Sequence, residues 1–565
     1  MTEPLEVYAL VQREGRWWLP YGPEADAEAL ARVFNSDCSV VFLGPDGGSL
    51  AYDVTNEGEE VVRLEAALEA VAQEVIFDPQ HSRPLNTAIW TEDPALLGLV
   101  QEIWDEHFAT GEAEKQKGGK KPRRPYIEQL RVLVTDLYLA WQEDPLLCLG
   151  MPFSEGAWDS QSRYNPLGLS KHLVVLVKQL QAAGLVRVSA GSYAAPGAKG
   201  NRTGRIQAST ELQKRFEALV VDGRAIQVVP SECIILKEGE GDYSRAVEYQ
   251  DTDNTLCMRQ VLTAYNDLLA QTFIDIPTLE QPWAVRQDNR GKDIRVAVGS
   301  RHQLVRRIFS RGSWEMNGRF YGPWWQGLNS KLRSQIFIND TPTVEIDFKA
   351  MHIQILAAQQ GVELPPDPYE LPPGQFPDTD PDEQRRLVKQ LVLTALNAKD
   401  TRSACSAFRE GLKAGHPGKH LKNTSLQKTI NTFSEHIPAL ADNLCSDVGI
   451  RLMFTDSQIM ERVITHSTLL GLPVLTIHDS AIIPYTHSKV LEETMKQAAV
   501  EVVGREIPLE AKALGLDHDS WKDDPVYVRL DYQTCRETER CEGYLTRLKE
   551  WENTTGREVV PFNIL

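Results

Sequence analysis

Residues 343–361 read TVEIDFKAMHIQILAAQQG, a stretch in which the spacing of apolar residues changes at one acidic residue. Val344 and Ile346 alternate with polar residues, which is the pattern of a β-strand. From Met351 onward the apolar residues follow the spacing of a helix. The sequence therefore predicts a strand that carries Asp347 at its end, directly before a helix.

A second acidic residue stands in a comparable place in PVLTIHDSAIIPY, residues 473–485. His478 and Asp479 separate two apolar runs, as residues at the tip of a β-hairpin do. Two carboxylates at neighbouring strand ends can hold two divalent cations, which stabilise the attacking and leaving oxygens of a phosphoryl transfer. We expect Asp347 and Asp479 to be catalytic residues and metal ligands.

A basic helix is predicted between these two segments, in RRLVKQLVLTALNA at 385–398. Arg385, Lys389, Leu393 and Asn397 recur every four residues and therefore share one face. Lys389 can neutralise phosphate charge, and Arg385 offers a planar fork to phosphate oxygens. The alternative interpretation is a pair of solvated basic residues on an exposed helix.

These three segments resemble, in order, motifs A, B and C of the family A DNA polymerases. The triplet HDS in the last one is more similar to that of the phage-type single-subunit RNA polymerases. Upstream, MNGRFYG resembles the segment before motif A in which an Arg contacts the primer-template, here Arg319. The resemblance extends from about residue 300 to about residue 525.

The resemblance implies a template-directed nucleotidyltransferase, in the first instance a DNA-dependent DNA polymerase acting on a DNA primer-template and nucleoside triphosphates. It implies two Mg²⁺ ions, which Mn²⁺ can replace, held by Asp347, Asp479 and the backbone carbonyl of Phe348. Lys389 is implied as a third catalytic residue. The implied nucleotide-binding residues are Arg385, Lys389, Leu393, His352 and Phe348. The implied nucleic-acid-binding residues are Arg319, His478, Asn397, Arg402 and Arg409. For His478 the alternative is a packing role in the hairpin.

This chain departs from the family pattern at three positions. Leu393 and Asn397 replace aromatic residues, and His352 replaces the Glu that excludes a ribose 2′-OH. The choice between dNTP and rNTP is therefore open, and an RNA polymerase or primase is the first alternative. A catalytically inactive DNA-binding regulator is the second. The DxE motif of a 3′–5′ exonuclease is not recognised, so we expect no proofreading.

The charge distribution is uneven. The chain carries 60 Lys and Arg against 79 Asp and Glu, a net charge of −19, which by itself argues against a nucleic-acid partner. Basic residues nevertheless dominate 301–333 and 385–428. These stretches predict a local groove for a polyanion, with solvated helix faces as the alternative.

The fold class expected is α+β multidomain, with a right-hand polymerase made of a palm with an antiparallel sheet and helical fingers and thumb. A winged-helix domain and a small α/β domain are expected to precede it. The expected segments are a small α/β N-terminal domain at 1–110, a basic linker at 111–125, a winged-helix-like DNA-binding domain at 126–225, a helical thumb-like region at 226–300, polymerase palm and fingers at 301–525, and a C-terminal tail at 526–565.

The winged-helix prediction comes from the order helix, strand, basic turn, strand that follows residue 171. Lys199, Arg202 and Arg205 would lie on the wing and contact DNA. The alternative is a small helical domain that packs against its neighbours. The Pro-rich, acidic segment 362–383 is expected to be a surface loop.

Other classes of protein are disfavoured. The eight cysteines include no CxxC pair, which argues against a zinc ribbon. No apolar run reaches the length of a membrane span, and the first residues lack the pattern of a signal peptide, so we expect a cytoplasmic protein without a membrane partner.

Overall fold

A computed structural model of the chain describes residues 8–13, 16–18, 38–43, 49–54, 77–108, 123–192, 202–241, 244–287, 291, 293–413, 415–513 and 538–562. It has a mixed α+β architecture. The helices are α1 (Pro94–His107), α2 (Tyr126–Glu143), α3 (His172–Ala182), α4 (Thr210–Glu217), α5 (Asp253–Ala270), α6 (Ser330–Arg333), α7 (Met351–Gln360), α8 (Pro381–Asn397), α9 (Thr401–Gly411), α10 (Asn423–His436), α11 (Gly449–Leu469), α12 (Ser488–Val503) and α13 (Glu542–Thr555).

Short strands form several separate sheets. They are β1 (Tyr8–Arg13), β2 (Arg16–Trp18), β3 (Cys38–Leu43), β4 (Ser49–Val54), β5 (Ser82–Pro84), β6 (Ile89–Thr91), β7 (Cys148–Met151), β8 (Val186–Ser189), β9 (Gly204–Ala208), β10 (Ile226–Val228), β11 (Ile234–Glu238), β12 (Arg245–Ala246), β13 (Ile274–Asp275), β14 (Trp283–Gln287), β15 (Asp293–Ala297), β16 (Arg306–Phe309), β17 (Asn317–Tyr321), β18 (Phe337–Ile338), β19 (Thr341–Phe348), β20 (Leu475–Ile477), β21 (Ser480–Pro484) and β22 (Leu509–Ala513).

The first sheet lies near the N-terminus and has the strand order β2-β1-β3-β4. Its neighbours pair in antiparallel fashion. Much of the small α/β domain expected at 1–110 lies outside the described residues, as does most of the linker expected at 111–125.

The region expected as winged-helix-like contains α2, β7, α3, β8, β9 and α4 in chain order. β7, β9 and β8 pair in antiparallel fashion, and β5 joins β7 in parallel. The region has a hydrophobic core that is separate from the main core. α2 contributes much of it, because the residues from 129 to 140 on this helix are almost all buried. Lys199 lies outside the described residues.

Ion pairs connect this region to the rest of the chain at the end of α2. Glu143 accepts a hydrogen bond from His302 at 3.0 Å and one from Arg83 at 3.2 Å. Burial alone would raise the pKa of Glu143, but His302 and Arg83 outweigh it and lower that pKa to about 2. Arg295 pairs with Asp144 at 2.8 Å.

Residues 226–300, expected to be helical, contain α5 together with strands β10 to β15. These strands are not predicted from the sequence, because each has only two to five residues and therefore shows little alternation. β11 pairs with β16, which brings this region into one sheet with β17.

The central sheet positions the candidate site. Its strands follow the order β13-β18-β19-β21-β20, and β22 pairs with the other edge of β19. Helix α12 packs against β19 and β21, and α7 and α11 pack against α12 and against each other. One hydrophobic core extends from residue 233 to residue 507. Helix α13 also packs on the folded body, since it buries Tyr544 and Trp551 against Phe273, and its Arg547 forms an ion pair with Asp275.

Candidate active site

Asp347 lies near the end of β19, between two partner strands. Val344 and Ile346 are buried on this strand, which explains why it sits at the centre of the sheet. Asp347 pairs in register with Ser480 of β21 on one side and with Glu510 of β22 on the other. The prediction of a strand ending at Asp347 is confirmed, because β19 ends at Phe348 and α7 begins at Met351.

Asp479 occupies the two-residue turn between β20 and β21. Its carbonyl oxygen accepts a hydrogen bond from the backbone N–H of Phe348 at 3.2 Å. The structure therefore brings the two predicted carboxylate residues together at adjacent strand ends. The turn is strained, since His478 has φ of +52°, a conformation that non-glycine residues rarely adopt.

The carboxylate of Asp347 lies in an unfavourable place for a negative charge. Burial, together with the charge of Asp479, raises the pKa of Asp347 to about 6. The ammonium of Lys512 opposes this effect from 3.4 Å. The site therefore attracts cations.

A buried polar network supports the sheet below Asp347. Glu345, two residues earlier on the same face, accepts hydrogen bonds from Arg333 at 2.8 and 2.9 Å. It also accepts one from the Ser480 hydroxyl at 2.7 Å. Because all three groups are partnered, the network holds β19 and β21 in one register.

The donor set fits a hard divalent cation. Two carboxylates and the Phe348 carbonyl supply only oxygen atoms, which Mg²⁺ prefers. Phe348 is buried, so its side chain is part of the core. No group of three or more His, Cys, Asp and Glu side chains suited to a metal occurs among the described residues. A metal held here would thus need further oxygens from water or substrate.

Arg319 is held by a buried acid. Its Nε donates to both carboxylate oxygens of Asp456 at 2.9 and 3.0 Å, and its Nη2 contacts Asp456 and His352. His352 in turn lies 2.9 Å from Asp456, which is fully buried. Burial alone would lower the pKa of Arg319, but Asp456 outweighs it and raises that pKa. Nη1 of Arg319 has no hydrogen-bond partner among the described residues.

Gly318 allows this arrangement, because it has φ of +77° and lies close to α11. A Cβ atom there would come within 2.9 Å of Phe309 and of Ser457. Any other residue would therefore push β17 away from the helix that carries Asp456.

His478 packs against Tyr321, with ring centroids 5.4 Å apart. Burial, aided by the charge of Arg319, lowers the pKa of His478. Its Nδ1 atom is buried and has no partner among the described residues. His478 thus presents a neutral ring beside Asp479.

The predicted face of α8 carries two exposed cations. Arg385 forms an ion pair with Asp367 of the preceding loop. The hydrogen bond to Asp367 raises the pKa of Arg385, and the negative charge of Glu510 adds to this increase. Arg385 of α8 and Glu510 of β22 are therefore close enough for their charges to interact. Lys389 is also exposed, and its ammonium lies 6.0 Å from the ring centroid of Tyr369.

Leu393 and Asn397 continue this face toward α11. Leu393 is partly buried against the main core. Asn397 donates to the Leu393 carbonyl at 2.7 Å and packs against Gly449, where a Cβ atom would lie 2.1 Å from its Oδ1. Leu393 therefore packs against the core, and Asn397 contacts both its own helix and α11.

The remaining predicted nucleic-acid contacts are spread over other elements. Arg402 is exposed near the start of α9, whereas Arg409 donates to the Leu421 carbonyl at 3.1 Å. Arg202 is partly exposed. Arg205 is engaged within its own region, donating to Ser82 at 2.7 Å.

Sequence reasoning missed four residues of the site: Asp456, Lys512, Glu510 and Tyr369. A signal exists for Asp456, since it stands on the apolar face of α11 with Leu452, Ile459 and Val463. A charge on an apolar face predicts a buried partner. Lys512 and Glu510 carry no such signal, because their position follows from the pairing of β22 with β19.

Comparisons with known proteins find little. No family model matches the sequence, and no curated protein matches it. Among solved structures, the chain is similar to the POL domain of Pol1 from M. smegmatis in complex with DNA primer-template and dNTP, over 84% of this chain and 92% of that one, at 10% identity and a TM-score of 0.25. No helix in the described ranges is both long and apolar enough to cross a membrane.

Proposed function

We propose that this chain is a template-directed nucleotidyltransferase that extends a DNA primer. The observation that carries the proposal is the pair Asp347 and Asp479 at adjacent strand ends, with a raised pKa at Asp347 caused by burial and by its neighbour's charge. Such a pair is unfavourable without a cation, and a phosphoryl-transfer enzyme needs a concentrated positive charge at the same place.

Asp347, Asp479 and the Phe348 carbonyl would hold two Mg²⁺ ions, with Mn²⁺ as a substitute. When bound, these ions supply charge stabilisation for the attacking and leaving oxygens. Asp347 and Asp479 orient the substrates by fixing where that positive charge lies. The Arg333–Glu345–Ser480 network keeps β19 and β21 aligned so that this placement is rigid.

Lys389 and Arg385 would bind the triphosphate of the incoming nucleotide. Both lie on the exposed face of α8, and Arg385 has a carboxylate partner that phosphate can replace. Lys389 can neutralise charge on the leaving pyrophosphate. Leu393 and His352 are the proposed neighbours of the sugar.

The primer-template would lie along Arg319 and His478. Arg319 offers Nη1 while its other nitrogens are fixed by Asp456, and His478 lies beside Asp479 with a neutral ring. Asn397, Arg402 and Arg409 extend this track along α8 and α9. The region 126–225 adds a winged-helix-like DNA contact through Lys199, Arg202 and Arg205. We also propose that the chain lacks proofreading.

An RNA polymerase or primase is the second candidate. The observation that favours it is His352, which replaces the Glu expected from the resemblance to exclude a 2′-OH and is bonded to Asp456 and Arg319. A regulator without catalysis is the remaining alternative.

The test is template-directed incorporation by the full chain. A labelled primer on four DNA templates that differ in the next base is supplied with Mg²⁺ and one nucleotide at a time, as dNTP or as rNTP. A parallel reaction omits the primer. The four templates serve as matched controls for one another, because a template-directed enzyme changes its preferred nucleotide with the template base.

We expect addition of the complementary dNTP only, and only on a primer. Synthesis from rNTPs without a primer would assign the protein to the second candidate. DNA binding without incorporation of any nucleotide would contradict the catalytic proposal and leave the regulator.

A further inference from the structure

The loop between α7 and α8 is folded into the core, although its sequence is Pro-rich and acidic. Tyr369, Leu371 and Phe376 are all buried. Gln384 of α8 donates to the carbonyl oxygens of Leu371 and Pro372 at 3.1 and 3.2 Å. The loop is therefore fixed along the first turns of the helix that carries Arg385 and Lys389.

Tyr369 of this loop has a buried polar atom without a partner. The residue is 2% exposed, and its hydroxyl oxygen forms no hydrogen bond with any described residue; the Gln375 side-chain oxygen, further along the loop, is likewise buried and unpartnered. A buried hydroxyl without a partner is costly, and such atoms occur in native proteins mainly where a ligand, ion or water completes the site.

The surroundings of Tyr369 indicate which ligand would complete it. Asp367 accepts a hydrogen bond from the Tyr369 backbone N–H at 3.0 Å and also pairs with Arg385. The Lys389 ammonium lies 6.0 Å from the Tyr369 ring centroid. The Tyr369 ring thus lies near Lys389, and the charges of Arg385 and Asp367 both act on its hydroxyl group.

The electrostatics also connect Tyr369 with the carboxylate pair. Burial raises the pKa of the Tyr369 hydroxyl; the charge of Arg385 opposes this increase, and the charges of Asp367 and Asp479 add to it. The hydroxyl therefore remains protonated and is a hydrogen-bond donor at neutral pH. A donor near two cations is suited to an anionic acceptor.

We infer that the Tyr369 hydroxyl donates a hydrogen bond to a phosphate oxygen of the incoming nucleoside triphosphate, which makes the loop between α7 and α8 a wall of the nucleotide pocket. This inference rests on the proposed function, because it places the triphosphate between the carboxylate pair and α8. It adds a nucleotide-binding residue from outside the three segments that the sequence resemblance covers.

The experiment compares Tyr369→Phe with the wild-type full chain on a primer-template. Two probes are titrated in Mg²⁺: the complementary dNTP with an imido group between its α and β phosphates, which cannot be incorporated, and inorganic tripolyphosphate. Tyr544→Phe is the matched control, because the hydroxyl of Tyr544, on α13, donates a hydrogen bond to Asp340 at 2.9 Å. Melting temperatures are measured without nucleotide.

We expect Tyr369→Phe to weaken both probes about tenfold, as loss of a hydrogen bond to a charged group does. Its Tm should be unchanged or higher, since the substitution removes an unpaired buried hydroxyl. Tyr544→Phe should lower the Tm and leave both affinities unchanged. In primer extension, the KM for dNTP should rise with little change in kcat.

Several results would overturn the inference. If Tyr369→Phe weakens the dNTP analogue but not tripolyphosphate, the hydroxyl does not contact phosphate. If it lowers the Tm and leaves both affinities unchanged, the hydroxyl is structural. Primer extension by the wild type separates the two proposals. If the wild type extends the primer and Tyr369→Phe binds both probes with unchanged affinity, only the inference about Tyr369 is contradicted. If Tyr369→Phe binds both probes more weakly but the wild type does not extend the primer, the phosphate contact is supported and the polymerase function is contradicted.

Discussion

The ammonium of Lys512 lies 3.4 Å from a carboxylate oxygen of Asp347, across the pairing of β22 with β19. A cation thus stands beside the first proposed metal ligand. Lys512 is 43% exposed and Asp347 28% exposed, so the pair is screened by solvent and can be displaced.

Replacement of Lys512 by Met should therefore tighten metal binding. We expect the Mg²⁺ concentration for half-maximal primer extension to fall about three- to fivefold, the size typical of an exposed ion pair. Lys512→Arg should resemble the wild type, and Lys489→Met, at an exposed position on α12, should leave the Mg²⁺ dependence unchanged. An increase in the required Mg²⁺ for Lys512→Met would mean that Lys512 assists the metal site.

The raised pKa of Asp347, about 6, has a consequence for stability in the absence of metal. Between pH 4 and pH 6 the native state holds a proton that the unfolded state has lost, so stability falls as pH rises through this window. Asp347→Asn should remove the effect. In EDTA we expect this variant to exceed the wild type by up to about 3 kcal/mol at pH 8, and by little at pH 4.

Urea unfolding of the two proteins at both pH values measures this difference. Mg²⁺ added at pH 8 should stabilise the wild type and not Asp347→Asn. A stability difference that is the same at pH 4 and pH 8 would contradict the electrostatic account of Asp347.

Asp456 should be important for folding as well as for the placement of Arg319. Asp456 is fully buried, and Asp456→Asn would leave the Arg319 charge without its counterion. We expect a loss of about 3–5 kcal/mol in the free energy of unfolding. Asp442→Asn, at an exposed position, should change it by less than about 0.5 kcal/mol. A loss of similar size in both variants would remove any special role for Asp456.

The ion pair between Asp367 and Arg385 should compete with the nucleotide. Asp367→Asn keeps an oxygen that can accept from the Tyr369 backbone N–H and removes the negative charge. Because Arg385 is then available to phosphate, the KM for the nucleotide should fall about threefold, within the range of an exposed ion pair. Steady-state primer extension measures it, and a raised KM would show that Asp367 supports the pocket instead.

The sequence predicts the centre of the site well. A change from alternating to helical spacing predicts a strand and a helix around Asp347, and two apolar runs around Asp479 predict a hairpin. The helix predicted at 385–398 occurs as α8, at Pro381–Asn397. These features depend on local periodicity, which is what a single sequence carries.

The rest depends on contacts between distant residues. Lys512 reaches Asp347 across 165 positions of sequence because of strand pairing, and Arg319 reaches Asp456 across 137. Tyr369 was expected in a surface loop, since its segment is rich in proline and acid, yet the few apolar residues of that segment are the ones that pack. Composition averaged over the segment conceals them.

Asp347 and Asp479 together should carry nucleotidyl transfer. Single-nucleotide primer extension by Asp347→Asn, Asp479→Asn and the control Asp442→Asn, each at saturating Mg²⁺ with folding verified by unfolding curves, measures this. We predict that either site variant loses about a thousandfold or more in rate, as the loss of several kcal/mol of transition-state stabilisation implies, whereas the control matches the wild type. Extension by either folded site variant at a rate close to the wild type would contradict the account.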